Sequence, residues 1–205
     1  MTITDTERRQ DVSLQTGPDD RVRYLESRVA ELERERDHLV AIVDILQQAA
    51  TAPHFADILQ TIVRNLGRVF GLERCSIYLS TDRHDVRLVA SYDDPNIDNL
   101  IVDLERYPEL KRAFDSGETV FIPDATAEPM LENMQVMFGL RNICSIVVVP
   151  IRWRSAVIGA IFLRTERDAT PFTERDIHFC QVIASLTATA LRKAYEAGGG
   201  KRSEL

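Results

Sequence analysis

Two hydrophobic periods divide the chain. From Val22 to Leu46, apolar residues recur every seven positions in two interleaved sets. Val22, Val29 and Val43 form the first, with Arg36 filling its third place, and Leu25, Leu32, Leu39 and Leu46 form the second, three positions on. These are the a and d positions of a heptad held for about three and a half repeats. So narrow a stripe predicts a coiled coil rather than a helix lying on its own domain. Val at a with Leu at d favours two parallel strands. Arg21 and Arg28 take g positions, and Glu26 and Glu33 take the e positions five residues later, so both pairs attract between parallel partners. Arg36 is the single polar a residue, a type that fixes register at some cost in stability. Asp19 or Asp20 starts the helix, and residues 22–46 span roughly 37 Å at ~1.5 Å each.

After Thr51-Ala52-Pro53 the stripe widens. Phe55, Ile58, Leu59, Ile62, Val63, Leu66, Val69 and Phe70 have the spacing of a helix lying on a sheet. Gly67 weakens it mildly and Gly71 ends it. Cys75 to Ser80 alternates, with Cys75, Ile77 and Leu79 on one face, and after a turn Val86 to Tyr92 makes a second strand. Pro108 to Ser116 is a short helix with Pro in its first turn and Gly117 beyond its end. Thr119 to Ile122 is a short strand stopped by Pro123. Residues 124–142 suggest a short helix or lid. Cys144 to Ile151 is a continuous apolar run, as in a strand covered on both sides, and a turn at 152–155 leads into Ala156 to Thr165. Thr173 caps a final helix, with Asp176 three residues on. Five strands joined largely by hairpins, with helices at both ends, give an α+β domain with a mostly antiparallel sheet, preceded by the coiled-coil helix.

Composition narrows the function. The formal net charge of −7 argues against nucleic acid as a direct partner. No run of ~18 apolar residues spans a membrane, and MTITDTERRQD lacks a signal peptide's apolar core, so a cytoplasmic location is expected. Cys75, Cys144 and Cys180 are scattered through apolar segments, without disulfide or zinc spacing. They read as small buried hydrophobes. His38, His54, His84 and His178 form no spacing pair, so no metal site is expected. No catalytic constellation stands out, and the cofactor is unknown.

One stretch reads Ser145-Ile-Val-Val-Val-Pro-Ile, Val157-Ile-Gly-Ala-Ile-Phe-Leu and Phe172-Thr-Glu-Arg-Asp-Ile. Together with Arg106-Tyr-Pro-Glu-Leu-Lys and Gly117-Glu-Thr-Val-Phe-Ile-Pro-Asp-Ala, it resembles a GAF domain over residues 54–194. The wording is similar to GAF domains found before GGDEF diguanylate cyclases and other bacterial signalling outputs. The resemblance implies a small ligand held between the sheet and the 92–142 connection. Candidate apolar walls are Tyr92, Phe121, Met130, Met134 and Phe138, and candidate polar points are Arg106, Asp124, Asn142 and Ser145. The Cys-His pair of bilin-binding relatives is missing. Of the cyclic-nucleotide set only Phe172 and Asp176 fit, with Ile177 in place of the final Glu.

The expected organisation is a disordered tail over 1–20, a dimerisation helix over 21–50, a GAF domain over 51–196 and a flexible tail over 197–205. The leading function is a non-catalytic sensor that binds a small molecule and signals through a coiled-coil homodimer. A signalling output domain or protein is an expected further partner. The alternatives are a ligand-free scaffold docking through Arg152-Trp153-Arg154, and a cysteine-based methionine sulfoxide reductase.

Overall fold

The computed structural model describes residues 17–51, 54–72, 74–81, 85–97, 99–131, 143–166 and 172–197. The chain divides into two compact units, 1–40 and 41–205. One helix, α1 (Pro18–Thr51), runs from the first unit into the second. Its first turn carries Asp19 and Asp20, whose charge suits the positive helix start. In the first unit Val22, Leu25, Val29, Leu32 and Leu39 all lie exposed. Arg28 pairs with Glu31 one turn on, and Arg36 hydrogen-bonds Asp37 at 2.8 Å.

In the second unit follow α2 (Phe55–Phe70), β1 (Arg74–Ser80), β2 (Val86–Ser91), β3 (Leu100–Val102), α3 (Pro108–Ser116), β4 (Val120–Ile122), β5 (Ile143–Trp153), β6 (Ala156–Glu166) and α4 (Glu174–Ala197). Short 3-10 turns occupy Leu104–Arg106 and Pro129–Leu131. The six strands form one sheet in the order β3-β2-β1-β6-β5-β4. Every neighbouring pair is antiparallel. The sequence pattern predicts five strands, and β3 is the addition. Three residues long and carrying exposed Leu100 and Ile101, it is too short to show an alternation. Of the helix or lid expected over 124–142, only the turn at Pro129–Leu131 falls in the described residues.

Alternation along the strands sends side chains into two cores. On one face Cys75, Ile77 and Leu79 of β1, Val147, Val149 and Ile151 of β5, and Ile161 and Leu163 of β6 meet α2 and α4. The domain's two end helices thus share one face of the sheet. On the other face Tyr78, Val120, Ile122, Ile146, Val148 and Phe162 meet Leu110 and Ala113 of α3. Ala41 and Ile45, in the last turns of α1, belong to the helix-side core, whereas Val43 and Leu46 of the same turns are exposed.

The helix ends follow their local chemistry. Gly71 takes the left-handed conformation (φ 60°), and Leu72 N–H closes the helix on Gly67 C=O at 2.9 Å, a Schellman ending. At α4, Thr173 N–H donates to Asp176 Oδ2 at 2.8 Å and Asp176 N–H donates to Thr173 Oγ1 at 3.3 Å, which completes the predicted capping box. Gly67 is not a weakness. A Cβ there would stand 2.6 Å from the Tyr92 ring, so only glycine lets that ring lie against α2.

Candidate functional site

The face of the sheet beneath α3 is apolar except at one corner. Arg74, Ser76 and Tyr78 alternate inward along β1, opposite Arg164, Phe162 and Ala160 of β6. Ser91 of β2 stands opposite Ser76. Two arginines are thus direct cross-strand neighbours, an arrangement that like charge disfavours unless anions stand close. Asp93, just past β2, supplies one, 3.7 Å from Arg74 Nε. Glu109, in the first turn of α3, supplies the other group.

A hydroxyl chain links the corner. Ser76 and Ser91, both wholly buried, sit with their oxygens 3.1 Å apart, and Ser91 Oγ donates to Asp93 Oδ1 at 2.5 Å. Tyr78 packs edge-on against Phe162 at 6.3 Å between ring centres. Burial pushes its phenol up to about 12, against the opposing pull of the Arg74 charge. Glu109 is 4% exposed, and burial pushes its carboxyl up to about 7, although its own backbone N–H and the Arg164 charge favour ionisation. Its Oε2 has no hydrogen-bond partner among the described residues. The corner is therefore a cluster of two half-buried guanidiniums, one buried and one exposed carboxyl, two buried serines and a buried phenol on a largely apolar wall, the composition of a small-molecule site.

The six expected pocket residues that fall among the described ones are not brought together. Met130 lies half-buried against the α3-side core. Tyr92 packs into the opposite, helix-side core. Phe121 stands opposite Val147 and so faces that same side, half-exposed. Arg106 is exposed, 3.9 Å from Asp103. Asp124 accepts from Thr126 N–H at 2.9 Å and Oγ1 at 2.6 Å, which closes its own turn. Ser145 is buried, its N–H donating to Thr165 Oγ1 at 3.1 Å and its hydroxyl 2.8 Å from the same oxygen. Met134, Phe138 and Asn142 lie outside the described residues. The missed corner did have a signal: Arg74, Ser76 and Tyr78 are the alternate positions of a strand whose other face is wholly apolar.

Elsewhere, an open groove of about 500 Å³ is lined by Gly117, Glu118, Thr119, Arg152, Gln181 and Ser185. Gln181 bridges it, donating to Thr119 Oγ1 at 3.1 Å. Trp153 lies under the Arg192 guanidinium, 4.8 Å from its ring centre. Cys75 and Cys180 are fully buried, and burial pushes both thiols up, away from the reactive thiolate form. Cys144 is half-buried. Among the described residues, no group of three or more His, Cys, Asp or Glu is placed to hold a metal, and no helix is long and apolar enough to cross a membrane.

Comparison with known proteins gives consistent likenesses. The family model for the GAF domain matches residues 54–191. Curated proteins give no match. Among solved structures, a GAF domain of a phosphoenolpyruvate-protein phosphotransferase from Coxiella burnetii is 18% identical, with TM-score 0.66, over 80% of this chain and 98% of that one. The corresponding Acinetobacter domain is 18% identical, with TM-score 0.64, over 79% and 97%. The free methionine-R-sulfoxide reductase of Neisseria meningitidis, in complex with its substrate, is 20% identical, with TM-score 0.61, over 75% and 87%. At these identities the likeness is one of fold.

Proposed function

We propose that this chain, which belongs to the GAF domain family, is a non-catalytic cytoplasmic sensor that binds a small molecule on the α3 side of its sheet and signals as a homodimer joined through α1. The observation that carries the reading is the polar corner of Arg74, Ser76, Ser91, Asp93, Glu109 and Arg164, set into an otherwise apolar sheet face. A core built for packing alone gains nothing from burying the Ser76 and Ser91 hydroxyls and the Glu109 carboxyl, and each such group costs stability unless it is paired.

A route from site to dimer follows from strand geometry. Tyr78 of the corner is flanked in β1 by Ile77 and Leu79, which enter the helix-side core that also holds Ala41 and Ile45 of α1. A ligand that favours one packing of β1 therefore biases the packing of α1, in proportion to its differential affinity for the two arrangements. The outward stripe of Val22, Leu25, Val29, Leu32, Leu39, Val43 and Leu46 is apolar, exposed and suited to a second copy.

The likeness to a methionine sulfoxide reductase raises catalysis as a second reading. Two of the three cysteines are fully buried with thiols held protonated, which supports the non-catalytic one. Native mass spectrometry of the purified chain tests the proposal. A dimer mass carrying an additional small molecule, lost in an Arg74→Ala, Arg164→Ala double variant that still folds, is the expected result. A monomer that retains and binds nothing, or reductase activity abolished by Cys144→Ser, overturns it.

A further inference from the structure

Glu109 is the one carboxyl of the α3-side site with an unmet hydrogen-bonding demand. Its side chain is almost wholly buried, its carboxyl is close enough to feel the Arg164 charge, and its Oε2 meets no donor among the described residues. Asp93, by contrast, is engaged by both Ser91 and Arg74. Leu110 and Ala113 of α3 and Phe162 of β6 make the surroundings apolar, so water is a poor substitute for a specific partner. We propose that the site takes a ligand presenting an N–H group, from an ammonium or an amide, to Glu109 Oε2. The inference rests on the ligand-binding reading above and adds the chemical class.

An N–H donor needs an acceptor, and the ionised carboxylate is the strong one. The groups that face Glu109 are Arg164 from β6 and Tyr78 from β1, and Tyr78 in turn feels Arg74 of its own strand and Tyr107 just before α3. The phenol of Tyr78 stays protonated at neutral pH, so of the two Glu109 is the member that titrates there. Burial holds a large fraction of it protonated near pH 7. A ligand N–H therefore displaces a proton on binding, and affinity rises as pH rises through 7. From the ionised fractions at pH 6 and pH 8, the gain is ~10-fold.

The test titrates the full chain with methylammonium chloride, acetamide and sodium acetate, following backbone amide NMR shifts at Glu109, Leu110 and Tyr78. Saturable shifts with methylammonium or acetamide, about tenfold tighter at pH 8 than at pH 6, are expected. Whichever of the two binds identifies the nitrogen source. Glu109→Gln should lose the pH dependence and Glu109→Leu the binding, with dispersed spectra showing that both variants fold. Shifts from acetate alone, or a Glu109→Leu variant that binds like the parent, overturn the ligand class while leaving a ligand site on this face. If no probe shifts these residues and the purified chain retains no molecule, the sensor reading falls with it.

Discussion

Gly67 and Tyr92 form a fitted pair in which a missing methyl group makes room for a ring. In an exposed helix Gly→Ala gains up to ~1 kcal/mol, but here the new Cβ would lie 2.6 Å from the base of the ring, which cannot swing aside as a flexible chain end would. Gly67→Ala should therefore lower stability in urea unfolding by about 1–2 kcal/mol, since overpacking costs ~1–3 kcal/mol. Adding Tyr92→Leu should recover most of the loss. Glu109 sets a second residue-scale expectation. Its carboxyl is raised from 4.5 to about 7 in the folded state, so the native protein holds a proton that the unfolded chain releases between those values. Stability from this group is thus greatest below pH 4.5 and falls as pH rises towards 7, by roughly 3 kcal/mol in all. Glu109→Gln should flatten that slope and be more stable than the parent at pH 8, measured by denaturant melts across the range. Neither residue announces itself locally. Glu109 reads as an ordinary first-turn carboxylate after Pro108, and the strands that its helix packs on, β5 and β6, arrive far along the chain. Gly67 reads as a helix defect until the ring it accommodates is placed.

At the scale of elements, the helices and long strands were legible because each carries its own period and its own ending. The wide stripe of α2 stops at Gly71, and α4 begins with Thr173 and Asp176 reaching for each other's backbone. Thr173→Ala should cost ~1 kcal/mol in thermal unfolding. What was not legible is whatever lacks a period. β3 owes its place to pairing with Val86, Arg87 and Leu88 of β2 rather than to any pattern in its own three residues. The candidate pocket suffered for a related reason. Tyr92 and Phe121 are apolar residues at strand positions, and the face each takes depends on pairing register, which one residue of slip reverses.

For the molecule as a whole, the heptad is the strongest sequence feature and it stands exposed in the folded chain. Leu25→Lys with Leu32→Lys should convert a dimer to a monomer in sedimentation velocity, and should remove the dependence of melting temperature on protein concentration. The last turns of α1 add a geometric rule to this. Ala41 and Ile45 are committed inward while Val43 and Leu46 of the same turns are exposed. Lengthening the helix by seven residues just before Ala41 turns the upstream stripe by only ~20°, whereas three or four residues swing it by roughly 40–60°, at 3.6 residues per turn. Spacer lengths should therefore fall into permitted and forbidden classes with a seven-residue beat.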